Sequence, residues 1–296
     1  NNRSDWGENN TRFIDNSTYQ NNGSCGTASN ICPNYNKTHY MFGGSGLEFN
    51  GTNAVNISNS SSLSPTNPST GLALEAWIYS KGNNLDWEPI ICKTNQTKGS
   101  TVGYVYRLMR GTASDNNQIS FGIGRQDSGL NGGAETSVPA NQWTHVAGTY
   151  DGAVQRIYIN GIEKALRAFT AGIPDGGTGG DLLIGKGEGC TTAFFSFNGS
   201  MDEVAIWNVS LTSEIIAKHS GYGIDRSIYG NNASRMFNTT INQSGKFQEA
   251  MEFGGRNSYV NISFDRSFNV TSSNAVTMEA WVKPGSLTDT STIISN

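Results

Sequence analysis

Charge is scarce in this chain. Asp, Glu, Lys and Arg make up only 15% of 296 residues, and 20 Lys+Arg stand scattered against 24 Asp+Glu for a net charge of −4. No basic face is left to hold nucleic acid or an anionic membrane. No apolar run approaches the ~18 residues of a spanning helix, so no membrane insertion is expected of this segment. The chain opens Asn-Asn-Arg-Ser, with no initiator Met and no signal-like apolar stretch, and reads as a mature or excised segment. The four Cys show no Cys-x-x-Cys and no Cys/His cluster of zinc spacing, which argues against a metal role for the thiols.

Asn, Gly, Ser and Thr fill the space that charge leaves. With 34 Asn in the chain, about seven Asn-x-Ser/Thr triplets are expected by chance. Sixteen are present: Asn2, Asn9, Asn16, Asn22, Asn36, Asn50, Asn56, Asn59, Asn95, Asn198, Asn208, Asn232, Asn238, Asn242, Asn261 and Asn269. The excess points to N-linked glycans, covalent partners that require an exported chain. The cysteines fit the oxidising compartment this implies. Cys25 and Cys32 bracket a short loop suited to a local disulfide, which leaves Cys92 and Cys190 to close a long one. Three pairings are open, and only the adjacency of the first pair favours this one. The expected location is extracellular, at a cell surface or in a secreted matrix.

A long internal repeat divides the chain. Gly46–Gly51 returns as Ala250–Gly255, Val55-Asn-Ile-Ser58 as Val260-Asn-Ile-Ser263, and Leu74-Glu-Ala-Trp-Ile78 as Met278-Glu-Ala-Trp-Val282. Asp15–Asn22 is echoed by Asp225–Asn232 at a similar offset. A tandem duplication follows: one complete domain over 1–220, and the N-terminal part of a second over 221–296.

Within the first copy the apolar period is two. Leu72, Leu74, Ala76 and Ile78 alternate with Ala73, Glu75, Trp77 and Tyr79, as in a strand with two distinct faces. Further runs span Glu88–Lys93, Val102–Met109, Gln118–Gly124, Trp143–Tyr150, Val154–Asn160, Asp181–Lys186 and Phe194–Trp207. Asp151-Gly152 and Asn160-Gly161 mark tight turns, predicting a three-stranded meander from Trp143 to Arg167. One helix is signalled, with Thr212 as N-cap and Gly221 as stop. The fold class is all-β, an antiparallel sandwich.

Several segments carry a family resemblance. Trp143–Gly152, Arg156–Gly161, Leu183–Gly185, Phe197–Trp207 and Leu211–Ile215, in this order and spacing, resemble the laminin-G-like domains of the concanavalin A-like lectin/glucanase superfamily. The likeness covers roughly 12–219 and restarts from about 222. It implies a jelly-roll sandwich repeated in tandem, the second copy incomplete. It also implies a structural calcium, held by Asp202 and the loop at Asn50 with backbone carbonyls completing the shell.

Hydrolases of this superfamily carry a Glu-x-Asp-x-x-Glu strand, and this chain lacks one. A retaining glycosidase needs two carboxyls ~5 Å apart on one face. Asp202 and Glu203 are neighbours on an expected strand and so point to opposite faces. His39, His145 and His219 are far apart in sequence, and His145 reads as a packed, hydrogen-bonded residue. No catalytic residue is assigned and no enzyme activity is expected. Trp77, Trp143, Trp207 and Trp281 read as core. Trp87, in the polar loop Asn83–Glu88, either stacks on a sugar ring or folds back over the sandwich edge.

No sequon falls between Asn95 and Asn198, although five Asn lie there. Either core strands carry few loop Asn, or this stretch forms a surface kept bare for a neighbour. The expectation is therefore a non-catalytic, glycosylated module for adhesion or recognition of carbohydrate or protein. The alternative is a structural subunit of an extracellular filament or surface layer, a polymer whose neighbours are other subunits. A glycoside hydrolase ranks last.

Overall fold

A computed structural model of the chain describes residues 9–26, 31–41, 45–64, 71–82, 88–94, 104–111, 117–124, 133–170, 172–173, 180–187, 196–221, 233–237, 239–245, 248–255, 258–262, 268, 277–285 and 292–295. Two units emerge, Asn1–Gly221 and Tyr222–Asn296. Each is described by itself.

The first unit holds strands β1 (Arg12–Phe13), β2 (Gly23–Ser24), β3 (Asn34–Asn36), β4 (Gly46–Asn50), β5 (Val55–Ile57), β6 (Leu72–Ser80), β7 (Glu88–Thr94) and β8 (Tyr104–Arg110). After them come β9 (Gln118–Ile123), β10 (Ala134–Ser137), β11 (Trp143–Tyr150), β12 (Val154–Ile159), β13 (Ile162–Ala168), β14 (Leu182–Ile184) and β15 (Asn198–Trp207), then helix α1 (Ser213–His219). One sheet runs β1-β2-β5-β14-β7-β8-β9-β10 and the other β13-β12-β11-β6-β15-β4-β3. Neighbouring strands in both are antiparallel. The sheets stack with β9 against β12 and β10 against β13.

β6 explains why the sheets meet as they do. Its even-numbered residues Leu72, Leu74, Ala76 and Ile78 are at most 1% exposed and enter a core shared with Phe49, Tyr106, Leu108, Phe121 and Phe197. Each large apolar side chain so buried contributes roughly 1.5–3 kcal/mol. The odd-numbered Ala73, Glu75, Trp77 and Tyr79 face outward, where Ala73 meets Ala147, Tyr158, Leu211 and Ile216 beneath α1. Thr212 Oγ1 accepts from Ile215 N at the start of α1, and Gly221 leaves it with φ 65°.

The meander stands where the period and turns place it. Asn160 and Gly161 (φ 49° and 78°) form the tight turn between β12 and β13. The Asp151-Gly152 turn is longer than a two-residue hairpin, because Asp151 Oδ1 accepts from both Ala153 N and Val154 N.

β15 departs from simple alternation. Asp202 pairs with Trp77 and Ala205 with Glu75, so Glu203 and Val204 together oppose one residue of β6. Glu203 takes φ 48° at this bulge. The extra residue reverses the faces downstream: Val204 and Ile206 pack toward the core and Trp207 points out. Strict alternation would have driven the Glu203 carboxylate inward. Opposite faces for Asp202 and Glu203 therefore do not follow from adjacency here.

In the second unit β16 (Ala233–Phe237) pairs with β19 (Tyr259–Ile262), and β17 (Thr239–Gly245) with β18 (Gln248–Phe253). Asn242 stands opposite Ala250 as Asn36 stands opposite Gly46, and Ala233 opposite Ile262 as Gly23 opposite Ile57. Residues 277–284 belong to no strand, although Met278–Val282 repeats the sequence of β6. Trp281 is 75% exposed and is not core. In the first unit β11 and β15 flank β6 with ladder bonds; among the described residues of the second unit none pairs with 277–284.

Candidate functional site

The outward face of β4, β15, β6 and β11 gathers the polar and aromatic residues that the core excludes. Cross-strand pairing fixes its rows. Glu48, Ser200, Tyr79 and Trp143 form the first row, and Asp202, Trp77 and His145 the second. Trp207 follows at the far end beside α1.

Three side chains from different elements converge on Glu75. Its Oε1 accepts from Trp207 Nε1 at 2.8 Å and lies 2.8 Å from His219 Nδ1 on α1. Its Oε2 stands 3.6 Å from His145 Nε2. Burial raises the affinity of the carboxyl for a proton, but the two imidazoles and the Trp207 N–H outweigh it and hold Glu75 below the ordinary carboxylate value. An ionised carboxylate of this kind anchors rings through Oε1 and is a poor general acid, while its buried Oε2 makes no hydrogen bond. Over it the Trp207 indole stacks on His219, centroids 5.4 Å apart and planes 22° apart. Trp207 is 37% exposed, so its place is a solvent-facing platform and not the core. Trp77 and Trp143 are buried, on this outer face rather than between the sheets. His145 is packed as expected, against Trp77.

A second cluster lies at the first row. The His39 ring meets Tyr79 edge-on at 4.1 Å and Trp143 at 5.2 Å, while its Nδ1 lies 3.0 Å from Ser200 Oγ. Burial lowers the His39 pKa, Glu48 opposes the change and Lys81 adds to it.

The carboxylate and amide suggested for calcium do not come together. Asn50 stands opposite Asn198, whereas Asp202 lies four residues further along β15, ~13 Å at strand rise. Asp202 already accepts from Met41 N and Glu203 N, both at 2.9 Å. Asn50 Oδ1 accepts from Thr52 N and Oγ1. This pair does not fit one cation. Among the described residues no group of three His, Cys, Asp or Glu could hold a metal ion.

Cys25 and Cys32 are joined. Cys92, buried in β7, is also disulfide-bonded; Cys190 lies outside the described residues. Trp87, Asn2, Asn95, Asn232, Asn238 and Asn269 lie outside them too. Asn9, Asn36 and Asn50 share one local geometry, each Oδ1 accepting the N–H and hydroxyl of the Thr two residues on. Asn16 is exposed, and Asn22 Oδ1 accepts from Asp15 N. Asn56 Nδ2 donates to Asp181, Asn208 Nδ2 to Tyr19, and Asn198 begins β15. Asn242 and Asn261 lie in β17 and β19.

Asn59 holds a buried amine. Lys93 Nζ donates to Asn59 Oδ1 and to Gly180 O. Burial lowers its pKa from 10.5 to about 8, with Asp181 opposing the drop. Between these two values the unfolded chain binds the extra proton, so stability rises with pH across that window. Urea titrations from pH 7.5 to 10.5 are expected to show this rise in the natural chain and to lose it in Lys93→Met. A flat profile in the natural chain would refute it.

A family model described as the concanavalin A-like lectin/glucanases superfamily matches residues 49–217. The chain belongs to this superfamily. No curated protein sequence matches it. Similar solved structures include the binding domain of botulinum neurotoxin serotype G, at 15% identity and a TM-score of 0.50, covering 77% of this chain and 56% of that one. Another is the binding domain of Paraclostridial mosquitocidal protein 1, at 10% identity and a TM-score of 0.50, covering 83% and 66%. Domain 4 of an extracellular arabinanase from Geobacillus stearothermophilus, in complex with arabinotriose, gives 16%, 0.46, 64% and 81%. What the two binding domains share with this superfamily member is the fold.

The Glu75–Trp207–His219 group escaped sequence reasoning. Glu75 and Trp207 are 132 residues apart, and only the bulge turns the indole outward. The recurrence of Glu75 as Glu279 was the one available signal.

Proposed function

We propose that this superfamily member is a non-catalytic, N-glycosylated extracellular module that recognises carbohydrate or protein in adhesion. The observation that carries the reading is the Glu75 clamp. The one carboxylate set among histidines is committed to holding Trp207 and His219, and the ring it steadies is open to solvent. Such a fixed, exposed indole stacks on the apolar face of a sugar ring, a contact of about 1 kcal/mol or more. Of the other carboxylates of that face, Asp202 is bound to two backbone N–H groups and Glu48 is paired with Lys81. The sequon excess, the disulfides and the lectin-like fold support export and glycan attachment. Matching pairings in the second unit support its origin as the opening part of a second copy.

A glycan array probed with the intact chain tests this. Saturable binding is expected, reduced at least tenfold by Trp207→Ala. Hydrolysis of any arrayed glycan, or binding indifferent to Trp207→Ala, would overturn it.

One observation favours a second reading, a structural subunit of an extracellular filament or surface layer. Residues 277–284 carry the sequence of a central strand yet lie outside any ladder, with Met278 and Val282 59% and 57% exposed. Ordered polymers in electron micrographs, with an empty array, would favour it.

A further inference from the structure

One sequon asparagine ends against an aromatic side chain. Asn208 follows directly on β15 and opens Asn208-Val-Ser210. Its Nδ2 donates to Tyr19 Oη at 3.1 Å. Tyr19 lies in the loop between β1 and β2, strands of the other sheet, and both residues are exposed, Tyr19 by 57%. Trp207 and Asn208 thus turn to different sides. The indole goes to Glu75 and His219 on the outward face, and the amide to the loop of the first sheet.

The loop that presents Tyr19 is built around Asp15. Asp15 Oδ1 accepts from Ser17 N, its Oδ2 accepts from Ser17 Oγ and Asn21 N, and Asn22 Oδ1 accepts from Asp15 N. Asn21 Nδ2 donates to Ser62 Oγ, tying the loop to the body of the unit. The repeat at Asp225–Asn232 keeps the Asp, the Ser, the Tyr and both Asn at the same spacing. Asp15, Ser17, Asn21 and Asn22 build the loop, whereas Tyr19 gives its ring to solvent and its oxygen to Asn208. A hydrogen bond between exposed neutral groups contributes little to stability, so it does not account for a ring present in both copies.

We propose that Tyr19 is the seat of the first sugar of an N-glycan on Asn208. This rests on the glycosylated reading above and adds the contact to it. A glycan replaces one Nδ2 hydrogen and leaves the other for the phenol oxygen. The first pyranose therefore starts from an atom 3.1 Å from Oη, and its C–H face packs on the exposed ring. Other acceptor nitrogens are committed to carboxylates: Asn36 Nδ2 donates to Glu48 Oε2 and Asn56 Nδ2 to Asp181 Oδ2. Seated on Tyr19, the sugar fastens the β1–β2 loop of one sheet to the end of β15 in the other.

Glycopeptide mapping and thermal melts on the full chain from a glycosylating host test this. Asn208 is expected to be occupied. Tyr19→Ala should lower the melting temperature by about 2–4 °C, and by less than half as much in a Ser210→Ala background. Ser210→Ala removes the sequon but keeps the Asn208 amide, so it separates the sugar contact from the bare hydrogen bond. Tyr19→Phe keeps the ring and should melt close to the natural chain. In NMR spectra the first sugar's protons should carry upfield ring-current shifts that Tyr19→Ala abolishes. Equal losses in the two backgrounds, or sugar protons unmoved by Tyr19→Ala, would rule out the seat and leave the glycosylated module standing. A bare Asn208 beside occupied sequons elsewhere would do the same. A chain with no glycan at any sequon would refute the glycosylated reading, and the seat with it.

Discussion

Arg110→Met lowers the unfolding free energy by about 3–5 kcal/mol, measured by chemical denaturation. Arg110 and Glu88 are paired across β7 and β8 and are both fully buried, with Nη1 3.0 Å from Oε2. Nη2 donates to Asn117 Oδ1 at 3.1 Å, tying the pair to the turn before β9. Removing the guanidinium leaves a carboxylate in an apolar setting with its main charge partner gone, and that desolvation drives the loss. The double variant Arg110→Met/Glu88→Leu removes both charges and should lie within ~1 kcal/mol of the natural chain. A single-variant loss below ~1 kcal/mol would show that water reaches the pair.

Gly199→Ala has an effect of similar size for a steric reason. Gly199 has φ +150°, and a Cβ there would sit 2.1 Å from Tyr79 O and 3.0 Å from Ser80 Cα. These are backbone atoms of the central strand β6 and cannot swing aside. Strain and overpacking together are expected to cost about 3 kcal/mol or more, lowering the melting temperature of the first unit by roughly 10 °C. Asn198-Ala-Ser200 would still be a sequon, so the change cannot be ascribed to a lost glycan. Gly51→Ala is the comparison. It has φ +85° and nothing within 4 Å of the added atom, so only the backbone term of about 1 kcal/mol remains. Equal losses at the two sites would refute the steric argument.

Legibility followed how locally each feature is specified. β6, β11 and the meander were readable because period-two patterning and an Asn-Gly turn act over a few residues. α1 was readable from its cap. β10, Ala134-Glu-Thr-Ser137, was not: it has no apolar alternation, and its place comes from backbone bonds to β9. β1, β2 and β3 are too short to carry a pattern. Among the tryptophans the core assignment held for burial at Trp77 and Trp143, failed at Trp207 where a bulge reverses the strand, and failed at Trp281. The calcium pair Asp202 and Asn50 came from resemblance alone, and strand register sets the two residues apart.

What the amino-acid order settles by itself is the all-β class, the duplicated motifs and the sequon excess, since each depends on residue type and short-range spacing. Tertiary structure alone decided the faces and neighbours. The Glu203 bulge brings an indole onto Glu75, and the end of β15 carries the Asn208 amide to Tyr19. The segment 277–284 makes the same point from the other side. It repeats the Glu-Ala-Trp motif of β6 yet pairs with no strand among the described residues, because ladder partners and not residue type alone make a strand.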